Sequence, residues 1–172
     1  MLTETDRQLA ELVGLPATHV LASVGVGSFA QAVCMHYKSK ERPALVVAVE
    51  PDSAACLQTS LKAGKIVPIR TRKTIMNGMN CGTVSFTAWE VLRKGVDLAV
   101  SVDDLQVHLD VQDLHSCGVP CGPCGAAPLS ALRHLMHCRE GVGLGPDSVI
   151  VLFSTEGARE HEVPERDPDL SN

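Results

Sequence analysis

HVLASVGVGSFAQAVCMHYK, residues 19–38, joins an apolar run to a segment of helical period through a glycine turn. Its first six residues are mostly apolar, with Val20 and Val24 β-branched, and lack the in-out alternation of a half-exposed strand, which predicts a strand buried on both faces of a parallel sheet. A glycine turn follows at Gly25 to Gly27. Beyond it, Phe29, Val33, Cys34 and Tyr37 recur at helical spacing, and Ser28 is placed to cap the first turn. A second apolar run at 44–49 (ALVVAV) closes a strand, helix, strand unit.

Two more runs of the same kind, 97–102 and 148–154, supply two further strands. Asp52 or Ser53 can cap a helix that runs through Leu61 and stops at Gly64, and residues 87–94 form another that stops at Gly95. Residues 126–138 predict a helix with Leu129, Leu132 and Met136 inward and Arg133, His134 and His137 outward. Leu105, Val107, Leu109 and Val111 alternate like a strand, but the capping residues Asp103 and Asp104 and the length of the segment favour a helix. From Glu156 the chain turns charged and proline-bearing, so residues 159–172 read as a frayed, disordered tail behind a single domain at 1–158. The expected fold is α/β, three-layered, with a mostly parallel sheet and helices on both faces.

Composition excludes several classes. With 172 residues, 45% of them hydrophobic, and a net charge of -5, the chain suits one globular domain and has no basic surface for nucleic acid. No apolar run is long enough to cross a membrane, and the start, MLTETDRQLAELVG, is too charged for a secretory signal. Seven cysteines, an odd number, fit reduced thiols. These features point to a cytoplasmic protein.

Strand, glycine turn and helix together make a phosphate-binding arrangement, because glycines let the backbone approach an anion and a helix start offers free N–H groups. Gly25, Gly27 and Ala30 fit GxGxxG/A, and Glu50 closes the next strand about 20 residues on, where a dinucleotide fold places its ribose carboxylate. A nucleotide-binding module is therefore one reading, and a plain tight turn is another. Cys117, Cys121 and Cys124 spell CxxxCxxC, a spacing known from iron-sulfur sites, and the last two alone read CGPC, a redox-type pair. Their position late in the chain argues against both. A zinc site would need His115 or His134 as a fourth ligand, and no second CxxC exists. No metal site is expected.

ASVGVGSFAQAV at 22–33, VVAVEPDSAACLQTSLKAGK at 46–65, TIMNGMNCGTVSFTAWEVLRKGVD at 74–97 and FSTEGA at 153–158 resemble successive blocks of the diaminopropionate ammonia-lyase family. That family belongs to the fold-type II pyridoxal-phosphate enzymes, with threonine dehydratase and the tryptophan synthase β chain. The likeness implies pyridoxal 5'-phosphate as cofactor. It implies that Gly25, Val26, Gly27 and Ser28 hold the phosphate, that the hydroxyl of Ser154 or Thr155 meets the pyridine nitrogen, and that Glu50 is structural. A neutral hydroxyl there does not keep the ring nitrogen protonated, which favours β-elimination and replacement chemistry.

Two departures from the family pattern stand out. Where the family has GESGAAGLAGL, this chain has PCGAAPLSAL at 123–132, with Pro123 and Cys124 replacing an acid and a hydroxyl; Cys81, within MNCG, follows the pattern. None of Lys38, Lys40, Lys62, Lys65, Lys73 and Lys94 stands in the context of the family's Schiff-base lysine. The expectation is therefore the C-terminal portion of such an enzyme, truncated or remnant and inactive alone, with no catalytic residue of its own. Its complete parent would convert the amino acid 2,3-diaminopropionate to pyruvate and ammonia. Open sheet edges would favour a homo-oligomer.

Overall fold

The computed structural model describes residues 1–137 and 142–165. Strand β1 (His19–Ser23) is buried at every position, which is why its sequence lacks alternation. It pairs in parallel with β2 (Leu45–Pro51), setting Val20 opposite Val46 and Ala22 opposite Ala48. On the other side it pairs in parallel with β4 (Ile150–Leu152), while β3 (Leu98–Val102) lies beyond β2. The order is β3-β2-β1-β4. The last strand is shorter than the run at 148–154 suggested.

The pleat sorts the core into two faces. Val20, Ala22, Val46 and Ala48 meet helix α2 (Ser28–Lys38), α3 (Cys56–Ala63) and α4 (Phe86–Gly95) through Val33, Cys34, Leu57, Ala88 and Leu92. Leu21, Val47, Val49 and Val100 face α5 (Asp104–Ser116) and α6 (Pro123–His137) through Val107, Val111, Ala127 and Ala131. Helices thus cover both sides, giving the three layers expected. Helix α5 is the helix chosen over a strand at 105–111: Asp103 accepts the amide of Gln106 at 2.9 Å, and Val107, Asp110 and Val111 form the buried stripe.

Four features go beyond or differ from the pattern read in the sequence. Residues Leu2–Leu12 form a helix, α1, that charge alone had hidden; Leu2 and Leu9 touch the core, and Asp6 bonds His36 at 2.7 Å and Lys40 at 2.6 Å on α2 and just past its end. Helix α6 begins three residues early, at Pro123, and buries Ala127, Ala131 and Leu135, whereas Leu132 is half-buried and Met136 is exposed. The inward face is displaced by about one residue, because small residues let α6 lie close against the sheet; Cys138, expected at its end, lies outside the described residues. Neither Asp52 nor Ser53 caps α3. They sit in a 3-10 turn, Asp52–Ala54, and the cap comes from Glu50 instead.

The fourth concerns the C-terminal stretch. Glu156 accepts the amide of Cys124 at 2.7 Å, Arg159 donates to the carbonyl of Ile75 at 2.5 Å, and His161 Nε2 lies 2.9 Å from His108 Nδ1. Residues 156, 159 and 161 are thus hydrogen-bonded to α6, to Ile75 and to α5; residues 166–172 lie outside the described residues.

Candidate cofactor site

Parallel strands bring the loops at their C-terminal ends to one edge, and in open α/β sheets ligands gather there. Gly25 to Ser28 leave that end of β1 and Ser154 and Thr155 follow β4, its neighbour, so the two groups singled out from sequence lie on the same edge. Between them stands the start of α6: Ser23 Oγ donates to the carbonyl of Cys124 at 2.8 Å, and the space a Cβ on Gly125 would need lies 2.6 Å from Ser154 Oγ.

The turn into α2 is shaped by two close approaches. Gly27 has φ 102°, a left-handed conformation, and a Cβ on it would sit 2.6 Å from Leu92 Cδ1. Gly25 presses on the TIMNGMNCGT block, where an added Cβ would meet the carbonyl oxygen of Gly78 at 2.8 Å. That block is itself held from α5: Asp104 accepts Thr74 Oγ1 at 2.5 Å and the amide of Ile75 at 3.0 Å. Val26 and Ser28 are exposed. Among the described residues, the amides of Ser28, Phe29 and Ala30 have no acceptor; the first bond into the helix is Gln31 to Gly27 at 2.8 Å. Three N–H groups at a helix opening, on a backbone stripped of side chains, fit an oxyanion such as a phosphate.

Glu50 does not serve a ribose. It is 1% exposed, and its two oxygens accept the amides of Leu57 at 2.7 Å and Gln58 at 2.8 Å. Burial lifts its carboxyl above the ordinary range, against the pull of those amides. The carboxylate a dinucleotide fold would need is thus spent on α3, which removes the main support of the nucleotide reading. Sequence pattern could not separate the two roles, because both place an acid at the end of β2.

The cysteines surround this edge as packing groups. Cys56 and Cys124 are buried, and burial raises their thiols to about 12 and about 11. Cys81 is raised too, by burial and the nearby Glu50. Within CxxxCxxC, Cys117 is exposed while Cys121 and Cys124 are buried, and His115 engages the backbone of Cys121. The lysines point elsewhere: Lys38 to Asp97, Lys40 to Asp6, Lys62 to Gln58, Lys73 to Glu162 and Lys94 toward Glu90, with Lys65 just past the end of α3.

Residues 3–156 match the family described as pyridoxal-phosphate dependent enzyme. The chain belongs to that family. Diaminopropionate ammonia-lyase of Escherichia coli K12 is 30% identical over 168 residues, covering 90% of this chain and 42% of the relative. A crystal structure of the Escherichia coli lyase in complex with an aminoacrylate-PLP azomethine reaction intermediate superposes with TM-score 0.80 at 30% identity, over 90% of this chain and 42% of that one. Serine racemase of maize shares the fold at TM-score 0.79 and 22% identity, over 92% of this chain and 48% of that one. The chain therefore spans about two-fifths of the length of the curated lyases it matches. The family's cofactor is pyridoxal phosphate, and the parallel sheet is that of its fold-type II members. No helix among the described residues is long and apolar enough to cross a membrane.

Proposed function

We propose that this chain is part of the large domain of a pyridoxal-phosphate dependent ammonia-lyase and that Gly25, Val26, Gly27 and Ser28 hold the phosphate of the cofactor. The observation that carries this is the opening of α2, where the amides of Ser28, Phe29 and Ala30 lack acceptors beside an exposed Ser28. On the same edge, Ser154 or Thr155 offers a neutral hydroxyl to the ring nitrogen. Bound pyridoxal phosphate supplies an electron sink for the α-carbon of an amino acid.

In the complete parent the reaction is α,β-elimination of 2,3-diaminopropionate to pyruvate and ammonia. This assignment leans on the likeness to the curated lyases. The chain by itself is read as inactive, because five of its six lysines turn to Asp97, Asp6, Gln58, Glu162 and Glu90 and the sixth, Lys65, lies just past the end of α3. Free cysteines throughout the described residues favour a cytoplasmic setting, and the far side of β4, which pairs with no strand among the described residues, favours self-association.

Titration of the full chain with pyridoxal phosphate, followed by borohydride reduction and peptide mapping, tests the reading. Saturable binding that inorganic phosphate competes away, without a lysine adduct, is expected. Binding of a nicotinamide dinucleotide with no response to pyridoxal phosphate would overturn it.

A further inference from the structure

The opening turns of α2 and α6 look onto the same end of β1 but are filled differently. At α2 the amides of Ser28, Phe29 and Ala30 have no acceptor among the described residues. At α6 the early amides are all engaged: Cys124 donates to Glu156 Oε2 at 2.7 Å, while Gly125 and Ala126 donate to the carbonyl of Gly122 at 2.9 and 3.1 Å. Glu156 is steadied from behind. Arg159 Nε donates to its other oxygen at 2.8 Å and Arg159 Nη2 to the carbonyl of Ile75 at 2.5 Å, while the amide of Gly122 donates to the Glu156 carbonyl at 3.1 Å. These two side chains join the end of β4, the opening of α6 and the block that presses on Gly25. Both are mostly covered: the Glu156 side chain is 23% exposed and that of Arg159 29%.

We propose that Glu156, oriented by Arg159, is a positioning residue of this site, and that its carboxylate is a built-in anion for α6. A helix opening that already carries a carboxylate gains nothing from a second negative group and repels one. Of these two helix openings, an external anion then finds only that of α2 free. The proposal deepens the cofactor reading above and rests on it for the occupant of α2.

Amide spectra of the isotopically labelled full chain, titrated with inorganic phosphate, test it. In the wild-type chain, phosphate shifts the amides of Ser28 to Ala30 and leaves Cys124 unmoved. In Glu156→Ala, hydrogen exchange at Cys124 quickens by roughly tenfold or more, as for loss of a charge-assisted bond, and phosphate shifts the Cys124 amide as well. Glu156→Gln, which keeps an accepting oxygen at the same place, restores slow exchange; Arg159→Ala, which keeps the carboxylate but loosens it, falls between. Should Glu156→Ala fail to fold, the last two variants carry the comparison. A phosphate-shifted Cys124 in the wild type, or a silent Cys124 in Glu156→Ala, overturns the proposal. Silence at Ser28 to Ala30 with the expected behaviour at Cys124 would sink the cofactor reading alone.

Discussion

The hydroxyl of Ser23 donates to the carbonyl of Cys124 at 2.8 Å, and that carbonyl is the one Pro128 cannot serve. In a regular helix the amide of residue 128 would bond the oxygen of residue 124. Proline has no N–H, so a strand residue supplies the missing donor across the interface. Ser23→Ala should cost about 1–3 kcal/mol by leaving a buried carbonyl unpaired. Pro128→Ala restores the helical donor, so the double variant should lose much less than Ser23→Ala alone. Urea denaturation of the four proteins closes the cycle; additive losses would refute the link.

Glu50 titrates against the fold. Its carboxyl is raised by burial above the ordinary value of 4.5, so between 4.5 and that higher value the folded chain binds more protons than the unfolded one. Stability contributed by this group therefore falls as pH rises through that window and is level above it. Glu50→Gln should abolish that fall in the difference between stability curves. Glu50→Ala should cost about 1–3 kcal/mol at neutral pH, since the amides of Leu57 and Gln58 lose their acceptor.

The two glycines of the α2 turn should fail in distinguishable ways. Gly27→Ala meets both a positive φ and Leu92, and should lose about 2–4 kcal/mol of stability by denaturant titration. Gly25→Ala meets a backbone oxygen, that of Gly78, and pushes the neighbouring block away. It should cost about 1–3 kcal/mol and weaken pyridoxal phosphate binding roughly tenfold, read by cofactor fluorescence.

Thiol accessibility gives a direct check on packing. Among the described cysteines, Cys117 is exposed and should react with a disulfide reagent at once. Cys34, Cys56 and Cys124, buried and raised to between about 11 and about 12, should stay unlabelled until denaturant is added. Mass mapping of labelled peptides decides it. Early labelling of Cys124 would mean that α6 does not seat on β1.

Much of the sheet was legible because strands buried on both faces carry uninterrupted β-branched runs, as at Val46 and Val47, and because glycines at 25 and 27 mark the turn into α2. Helix α1 went unseen since only Leu2 and Leu9 hold it to the core; their spacing of seven was the available signal. Pairings between distant residues left no local trace. Glu156 and Cys124 are 32 positions apart, and nothing in either neighbourhood announces that the acid would close a helix. Glu50 shows the opposite limit: its place at the end of β2 was plain, but only its partners separate a cap from a ligand-binding carboxylate.

With the lysines turned toward Asp6, Asp97, Glu90 and Glu162 or set along and beyond α3, the proposed hold on an anion at the first turn of α2 rests on main-chain hydrogens and the Ser28 hydroxyl. Such a hold forms and dissolves without making or breaking a covalent bond. A phosphate held by that turn alone would come and go with the free concentration of its bearer, where a covalently tethered group would stay through many turnovers.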